Sequence, residues 1–252
     1  MKQLFIGILL LFLVISCNDD VNSNENNRID IATVENPTLS TTFNFRLDDG
    51  SLMYTNTTGL LNYKPVDGQR IIANYTFIET LDKSFEPSVA IYTGKNVKLN
   101  DVYEILTKGI FKIKPAQQDS IGNDQIEIKN IWIGSDYLNV EFVYLGYNKN
   151  HFINLVSDDS KTYTDNKVHL EFRHNANSDY PSNSNWGMVS FDLKTLKANH
   201  NPTDSVKLLI HTKEYGSTID KTYPLTYRFG VQIPAQSARK LSLPFNADNK
   251  IQ

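Results

Sequence analysis

Hydrophobic and polar residues alternate along most of this chain with a period of two, which is typical of strands that bury one face. Phe43, Phe45 and Leu47 share one side of such a segment. The turn sequence Asp-Asp-Gly at 48–50 follows directly and predicts a hairpin into a second strand at 52–54. Another turn sequence, KPVDG, precedes a further alternating segment. The apolar face of that segment consists of Ile71, Ala73, Tyr75 and Phe77.

From residue 121 onward, the alternating segments become longer and more regular. Clusters of Asn, Asp, Gly and Ser separate them, as turns separate strands. The apolar positions of the predicted strands are Ile126 and Ile128; Leu138, Val140, Phe142 and Tyr144; Phe152 to Val156; Val168, Leu170 and Phe172; Val189, Phe191 and Leu193; Val206, Leu208 and Ile210; Leu225, Tyr227 and Phe229. Seven strands at this spacing predict a two-sheet β-sandwich.

One segment departs from the alternation and predicts a short helix over Leu99 to Lys108. Asp101 and Glu104 stand at capping-box spacing, with apolar residues at 102, 105 and 106. Gly109 follows as a stop signal.

The chain is therefore predicted to be all-β, with two domains. The linking sequence KPAQQDSIGN at 114–123 lies between two alternating halves and marks a candidate boundary. We predict a small β-barrel domain at 29–116 and an antiparallel β-sandwich at 117–230. Residues 231–252 form a C-terminal extension whose structure the pattern leaves open.

The start of the chain has the pattern of a secretory signal peptide at 1–16. Lys2 precedes an apolar run that is shorter than the roughly 20 residues needed to span a membrane. VISC at 14–17 resembles the lipobox of bacterial lipoproteins, which implies that Cys17 carries acyl chains and that the preceding peptide is removed. The alternative is an ordinary secretory signal that leaves a free cysteine. Polar residues dominate 17–28, which we interpret as a flexible tether.

Lipidation of Cys17 makes the membrane a partner, reached through an anchor that does not span it. Asp19 and Asp20 resemble the signal that directs Bacteroidota lipoproteins to the outer face of the outer membrane. They favour an outer-membrane lipoprotein at the cell surface. Asn18 interrupts the signal, so the periplasmic face stays open as the alternative.

Composition excludes several classes of function. The chain has 252 residues with a formal charge of -3, and removal of Lys2 with the signal peptide gives -3 - 1 = -4. It has no block of five or more basic residues, so nucleic acid is not expected as a partner. Cys17 is the only cysteine, and once it is lipidated none remains for a disulfide, a nucleophile or a metal site. No cofactor is expected.

The most concentrated set of ionisable residues is HLEFRH at 169–174. Because its apolar residues alternate with the charged ones, we interpret the charged residues as a solvated outer face of a strand. His151, His200 and His211 are isolated, and HExxH, GxSxG and CxxC motifs are absent. The sequence predicts neither a metal site nor catalytic residues.

Four aromatic residues are candidates for stacking on sugar rings: Trp132, Tyr144, Tyr147 and Trp186. The alternative is that they are core or cross-strand partners. Ser120 and Ser205 each follow an aspartate and precede an apolar residue, which resembles the O-glycosylation acceptor of exported Bacteroidota proteins. A pattern so short also occurs by chance.

Several ordered segments resemble the NigD-like family of Bacteroidota lipoproteins. These segments are IATVENP, FRLDDGS, YKPVDGQRIIANYT, DVYEILTKGI, DSIGNDQIEIKNIWIGSDYLNVEF, HFINLV, VHLEFRHNA and DSVKLLI. The resemblance implies an N-terminal domain of OB type and a C-terminal β-sandwich. The family takes its name from an open reading frame linked to a bacteriocin locus, and it has no established activity.

Three functions remain to be separated. A binding module would take an oligosaccharide or a peptide, for which an OB-type groove is suited. An accessory subunit would join an outer-membrane protein or a bacteriocin-related assembly through an exposed apolar patch or sheet edge. A hydrolase is disfavoured because no nucleophile or metal motif is present.

Overall fold

The computed structural model describes residues 27–37, 42–58, 63–78, 94–198, 201, 204–230 and 251. The predicted signal peptide, Cys17 and the tether up to residue 26 lie outside these residues, as does the C-terminal extension except Ile251. No helix among the described residues combines the length and apolar composition needed to cross a membrane.

The first domain is a closed five-stranded barrel. Its strands are β1 (Asn27–Glu35), β2 (Asn44–Leu47), β3 (Leu52–Thr58), β4 (Arg70–Phe77) and β5 (Lys95–Glu104). They follow the order β1-β2-β3-β5-β4, and β4 returns to pair with β1. The predicted hairpin at 48–50 is confirmed, with Gly50 at a φ of 88° that favours glycine. The alternating apolar residues of β2 and β4 fill the barrel core.

The helix predicted over Leu99 to Lys108 is wrong, because this segment contains the end of β5 and the start of the next strand. The register between β4 and β5 shifts at Asn74 and Tyr75, so that Asn100 is an extra residue on β5. Before this bulge, Val97 and Leu99 point into the barrel core. After it, Val102 does so. The bulge therefore changes the phase of the alternation and produces an apolar spacing that imitates a helix.

The second domain is a sandwich built from eight strands, β6 (Leu106–Ile113) to β13, in the order β13-β12-β10-β9-β6-β11-β8-β7. The remaining strands are β7 (Glu127–Gly134), β8 (Tyr137–Gly146), β9 (Phe152–Asp158), β10 (Val168–Asn175), β11 (Asn183–Asp192), β12 (Ser205–Thr212) and β13 (Lys221–Arg228). All seven predicted strands are present. Three pairings, β6 with β9, β6 with β11 and β10 with β12, are parallel, and the other pairings are antiparallel.

Strand β6 follows directly after the barrel strand β5 and therefore connects the two domains. It also pairs with both sheets of the sandwich. Its first half pairs with β11 and its second half with β9. The sequence placed residues 106–113 in the barrel domain, but their hydrogen bonds belong to the sandwich. Short helices follow at Pro115–Gln117 and at α1 (Gln118–Ile121), and a third lies at Lys194–Lys197.

A buried ion pair lies where the barrel meets the outer face of the sandwich. Arg70 on β4 is fully buried, and its Nη1 and Nη2 donate to the two carboxylate oxygens of Asp48 at 2.6 and 2.9 Å. From the sandwich, the Asn139 side chain accepts from Arg70 at 2.9 Å and donates to Asp48 at 3.0 Å. Ser190 donates to Asn139 at 2.7 Å. Gly134 lies so close that a Cβ there would be 2.1 Å from Asp48 Oδ2.

An apolar layer lies beside this ion pair and completes the domain interface. Its buried members are Ile31 and Ile72 from the barrel, Ile105 from the connection, and Met188 from the sandwich. Partly buried aromatic residues from both domains pack against them. The interface thus excludes water from a charged pair, which makes the two domains one unit in which neither can move without exposing buried charge.

We expect that Arg70→Met lowers the free energy of unfolding by about 3–5 kcal/mol, because it leaves the Asp48 carboxylate buried without its cation. Chemical denaturation measures this change. The matched control is Arg46→Met, since Arg46 pairs with Glu35 at 2.6 Å while its side chain is 34% exposed, and we expect it to cost less than about 1 kcal/mol. Equal losses in the two variants would contradict the role given to the buried pair.

Candidate functional site

Three loops come together at one end of the sandwich: 147–151 between β8 and β9, 176–182 between β10 and β11, and 213–220 between β12 and β13. We call them the tip loops. The Asp179 carboxylate joins the first two, because it accepts hydrogen bonds from the backbone N–H groups of Tyr147 at 2.6 Å and Asn148 at 3.3 Å. The third loop is held by Tyr215, whose hydroxyl accepts from the backbone N–H of Leu145 at 3.1 Å.

A tight turn in the second loop is fixed by a lysine from the first. Asn177 and Ser178 have φ values of 54° and 53°, in the left-handed region that costs energy for residues other than glycine. Lys149 Nζ donates to both of their carbonyls, at 3.1 and 2.9 Å. Asn177 also donates to the Asn150 carbonyl at 3.3 Å. These contacts hold both loops in one conformation.

The tip loops carry half of the large apolar side chains that are exposed in the described part of the chain. Tyr147 is 57% exposed, Tyr180 73%, Tyr215 37% and Ile219 78%, which makes four of eight such residues. Asparagine and serine fill the positions between the tyrosines, in the sequences YNKN and NSDYPS. Tyrosine with Asn and Ser is the composition of antibody paratopes, where rigid aromatic area is flanked by adaptable hydrogen-bonding groups.

Beneath the loops lies a buried chain of two histidines and one aspartate. His151 stands immediately before β9, and His174 lies near the end of the antiparallel neighbour β10. His151 Nδ1 is 2.7 Å from His174 Nε2, and His151 Nε2 is 3.2 Å from Asp179 Oδ2. His174 Nδ1 is 3.1 Å from the Gln125 carbonyl oxygen. A Cβ on Gly146 would lie 2.6 Å from His151 Nε2, so this approach requires glycine.

The environment sets the charge of each group in the chain. Burial lowers the pKa of His174 to about 4, although its hydrogen bond to the Gln125 carbonyl acts in the opposite direction. Burial raises the pKa of the Asp179 carboxyl, but hydrogen bonds from Tyr147, His151 and Asn148 outweigh it, and the pKa is held below the usual range. His174 is therefore neutral and Asp179 ionised at pH 7.

The interpretation of HLEFRH as a solvated face is wrong. The side chains of Glu171 and Arg173 are each 7% exposed, and His174 is buried. Arg173 donates to Glu171 at 2.6 Å and to Gln118 in α1 at 3.0 Å, and Lys161 donates to Glu171 at 2.5 Å. The segment that contains α1 covers this face and supplies polar partners, which the strand pattern alone does not reveal.

A second pair of histidines joins β10 to its neighbour β12. It lies on the face of β10 that also carries Glu171 and Arg173. His169 Nδ1 is 3.0 Å from His211 Nε2, and His169 Nε2 is 2.9 Å from Asp165 Oδ1. His211 Nδ1 is 2.9 Å from Thr222 Oγ1. Tyr163 stacks on His169 with the ring centroids 3.5 Å apart. Sequence reasoning treated His151 and His211 as isolated, because only the register of the strands brings each histidine to its partner.

In the described part of the chain, no group of three or more His, Cys, Asp or Glu side chains is placed to hold a metal ion. Both histidine pairs hydrogen-bond to an aspartate, to each other and to a further oxygen. The ring nitrogens are thereby committed to structural contacts. Both histidine pairs therefore hold segments of the chain together.

The four candidate stacking aromatics do not share one surface. Trp132 and Trp186 pack against the domain interface, where Trp186 Nε1 donates to Glu141 at 3.0 Å. Tyr144 is buried beside the histidine chain, with its ring centroid 4.6 Å from that of His151. Tyr147 alone among the four is exposed, in the tip loops.

The two candidate modification sites are both exposed. Ser120 is in α1, where its hydroxyl donates to the Gln117 carbonyl at 2.9 Å. Ser205 opens β12.

The barrel also has an open cleft of about 610 Å³ on β1, β4 and β5. Amides line it, and Asn100 Nδ2 donates to Thr76 at 2.8 Å and to Asn74 at 3.3 Å. The loop between β4 and β5, which contributes to ligand binding in OB folds, lies outside the described residues at 79–93. A ligand in the OB-type groove thus stays a prediction.

The free energy of unfolding is expected to fall as the pH drops from about 6.5 to about 4, because the unfolded chain protonates His174 in this window and the folded chain does not. The contribution of one such proton is at most about 1.4 kcal/mol per pH unit. His174→Gln keeps a donor for the Gln125 carbonyl and an acceptor for His151, and it should reduce this slope. Urea unfolding at pH 7 and at pH 4.5 measures it, and an unchanged slope would contradict a neutral His174.

Two family models together match most of the chain. Residues 31–105 match the family model described as the NigD-like N-terminal OB domain, and residues 109–227 match the NigD-like C-terminal beta sandwich domain. None of the curated proteins compared with the chain matches it.

Similar crystal structures come from species of Bacteroides and Parabacteroides. A protein of unknown function from Bacteroides vulgatus is 28% identical, with a TM-score of 0.65, over 81% of this chain and 92% of its own. A putative toxin related protein from Parabacteroides distasonis is 29% identical, with a TM-score of 0.65, over 82% of this chain and 96% of its own. A NigD-like immunity protein from Bacteroides caccae is 20% identical, with a TM-score of 0.59, over 78% of this chain and 91% of its own. From the match of both domain models in the expected order, the chain belongs to the NigD-like family.

Proposed function

We propose that this protein is a lipid-anchored, non-catalytic recognition module of the outer membrane, exposed at the cell surface, which binds a protein partner through the tip loops. The observation that carries the proposal is the set of exposed tyrosines on loops that are hydrogen-bonded into one conformation. Loops on a rigid β-scaffold are common sites of binding.

Preorganisation favours binding at this surface. The Asp179 and Lys149 contacts order the loops before any partner arrives, so association does not have to supply the free energy of ordering them. Tyrosine adds contact area with only two side-chain torsions to restrict. The tip loops therefore combine a low entropic cost with a large apolar contact area.

A protein partner fits the surface better than an oligosaccharide. Ile219, at 78% exposure, is an aliphatic side chain on the same set of loops as the tyrosines, and such groups add affinity when they enter an apolar pocket of a protein. Oligosaccharide and peptide ligands remain the alternatives, and the barrel groove is the place where the sequence predicts them.

The edges of the sandwich are poor sites for strand addition. Edge strand β13 contains Pro224, which lacks a backbone donor, and charged residues at both ends. Edge strand β7 has a register shift between Ile128 and Asn130, and it carries Glu127 and Lys129. These features favour loops over strand edges as the contact surface.

A non-catalytic role is supported by the state of the ionisable clusters. The Glu171 carboxylate is bound by Arg173 and Lys161, and the Asp179 carboxylate by backbone N–H groups and His151. General acid–base or nucleophilic catalysis needs a group within reach of a substrate. These groups are committed to the fold.

A second candidate function is an accessory role in a bacteriocin-related assembly. Two similar structures are described as a toxin related protein and as an immunity protein. A module that recognises another protein at the cell surface is compatible with such a role.

O-glycosylation of Ser120 and Ser205 is proposed as well, since both side chains are exposed.

Cys17→Ala is expected to release the protein from the membrane, because the variant has no thiol to carry the acyl chains that hold it there. Fractionation of cells that express tagged wild-type and variant chains measures the membrane-bound share. Protease treatment of intact cells tests surface exposure of the wild-type protein. A variant that stays in the membrane fraction would contradict the lipid anchor on Cys17. A wild-type protein that resists the protease until the cells are broken would contradict surface exposure.

Joint replacement of Tyr147 and Tyr180 by alanine is expected to weaken partner binding at least tenfold, because exposed tyrosines at the centre of an interface supply much of its free energy. In-cell crosslinking of the lipidated, tagged protein with mass spectrometry identifies the partner, and titration with the purified partner measures the dissociation constant.

The matched control is Tyr163→Ala, since Tyr163 is 43% exposed but lies outside the tip loops, on His169. It should leave binding unchanged. If both variants bind like the wild type, the tip loops are not the contact surface. Binding of a glycan in place of a protein would favour the alternative ligand.

A further inference from the structure

The two histidine chains have the same layout and differ in their last partner. One chain has exposed ends, and we call it the exposed chain. It runs Asp165, His169, His211 and the Thr222 hydroxyl. The buried chain runs Asp179, His151, His174 and the Gln125 carbonyl. A hydroxyl can donate or accept a hydrogen bond, whereas a carbonyl can only accept. This difference fixes the number of protons that each chain needs.

The exposed chain is complete with two neutral rings. His169 Nε2 donates to Asp165, His211 Nε2 donates to His169 Nδ1, and the Thr222 hydroxyl donates to His211 Nδ1. Its three contacts contain three protons, two from the imidazoles and one from the threonine. No extra charge is required.

The buried chain cannot be completed in this way. Both of its ends, the Asp179 carboxylate and the Gln125 carbonyl, are acceptors only. Its three contacts need three protons, and two neutral imidazoles supply two. One ring must therefore carry an additional proton, or one contact at 2.7 to 3.2 Å brings two lone pairs together.

Charge balance selects His151 as the protonated ring. The Asp179 side chain is 2% exposed, and a buried carboxylate needs a paired cation. His151, itself 1% exposed, forms the ion pair with it. Lys149 directs its ammonium group to the carbonyls of Asn177 and Ser178. His174, one ring further from the carboxylate, stays neutral and donates from Nδ1 to Gln125.

We infer that His151 is a buried imidazolium whose ion pair with Asp179 clamps the tip loops, so that protonation of this ring regulates the surface proposed above as the binding site. The Asp179 carboxylate accepts hydrogen bonds from the backbone N–H groups of Tyr147 and Asn148. It can stay buried and ionised while its cation is present. The inference about regulation rests on the proposed function, but the protonation state does not.

The other ionisable groups that face the clamp are consistent with this assignment. Asp124, in the turn before β7, lies near His174 and accepts from the Ala176 backbone N–H at 2.7 Å. Tyr144 on β8 packs against both rings, and burial raises the pKa of its phenol, which stays neutral. The chain thus carries one positive charge between two carboxylates, and His151 is the ring bonded directly to one of them.

The clamp predicts a loosening of the loops when His151 loses its extra proton. Loss of the third proton leaves Asp179 buried without a counter-ion and leaves one contact of the chain without a hydrogen. The clamp is a positioning device, and its stabilisation requires the extra proton on His151.

NMR of the full lipidated chain in detergent, labelled with ¹⁵N in its five histidines, tests the proton count directly. At pH 6 to 7, His151 should have two protonated ring nitrogens, and His174 one protonated Nδ1 and one unprotonated Nε2. His169 and His211 should each have one protonated nitrogen, which makes them an internal control. A His151 ring with an unprotonated nitrogen in this pH range would overturn the inference.

Asp179→Asn removes the counter-ion and preserves the shape of the side chain. Its His151 ring should lose the extra proton at pH 7, whereas Asp165→Asn should leave the exposed pair with two protons as before. Hydrogen-exchange protection factors of the Tyr147 and Asn148 amides should fall on the order of tenfold in Asp179→Asn, and in the wild type when the pair loses its proton at high pH.

The outcomes separate this inference from the proposed function. If the Asp179 variant does not fold, the wild-type spectrum and its change with pH still decide the proton count. Protection factors that do not change as His151 loses its proton would overturn the clamp. A confirmed clamp with unchanged partner binding in the tyrosine variants would leave the inference intact and reject the tip loops as the contact surface.

Discussion

The buried pair of Arg70 and Asp48 is the interaction on which the relation of the two domains depends. Both side chains are buried, and the sandwich adds hydrogen bonds to the pair through Asn139, which in turn accepts from Ser190. A barrel separated from the sandwich would expose this pair and the apolar layer beside it. The domain interface is therefore part of the folded core and joins two folds into a single body.

The Arg70–Asp48 and His151–Asp179 pairs each use an aspartate from a turn or loop. Asp48 belongs to the hairpin between β2 and β3, and Asp179 to the loop between β10 and β11. Aspartate is common in turns because its side chain bonds to nearby backbone groups. In both places the carboxylate reaches beyond its own turn to a distant element, Arg70 and Asn139 in one case and His151 in the other. A local turn residue thereby fixes tertiary structure.

The regular strands could be predicted from the sequence, since a strand with one buried face repeats every two residues. The register could not. A single bulge at Asn100 reversed the phase of β5 and imitated a helix. The burial of Glu171 and Arg173 depends on α1, which lies more than 50 residues earlier in the chain. The histidine pairs likewise need the pairing of β9, β10 and β12, for which the sequence has no local signal.

The packing of the barrel against the sandwich limits where a partner can bind. Residues of β1, β4 and β5 lie on the barrel side of the interface, and residues of β7, β8 and β11 lie on the sandwich side. The opposite face of the sandwich, on β10, is covered by the segment around α1. The tip loops lie at the end of the strands, where side chains can change without disturbing either sheet. Their backbone is nevertheless fixed by the Asp179 carboxylate, the Lys149 ammonium group and the Tyr215 hydroxyl, which make the loops rigid before a partner binds.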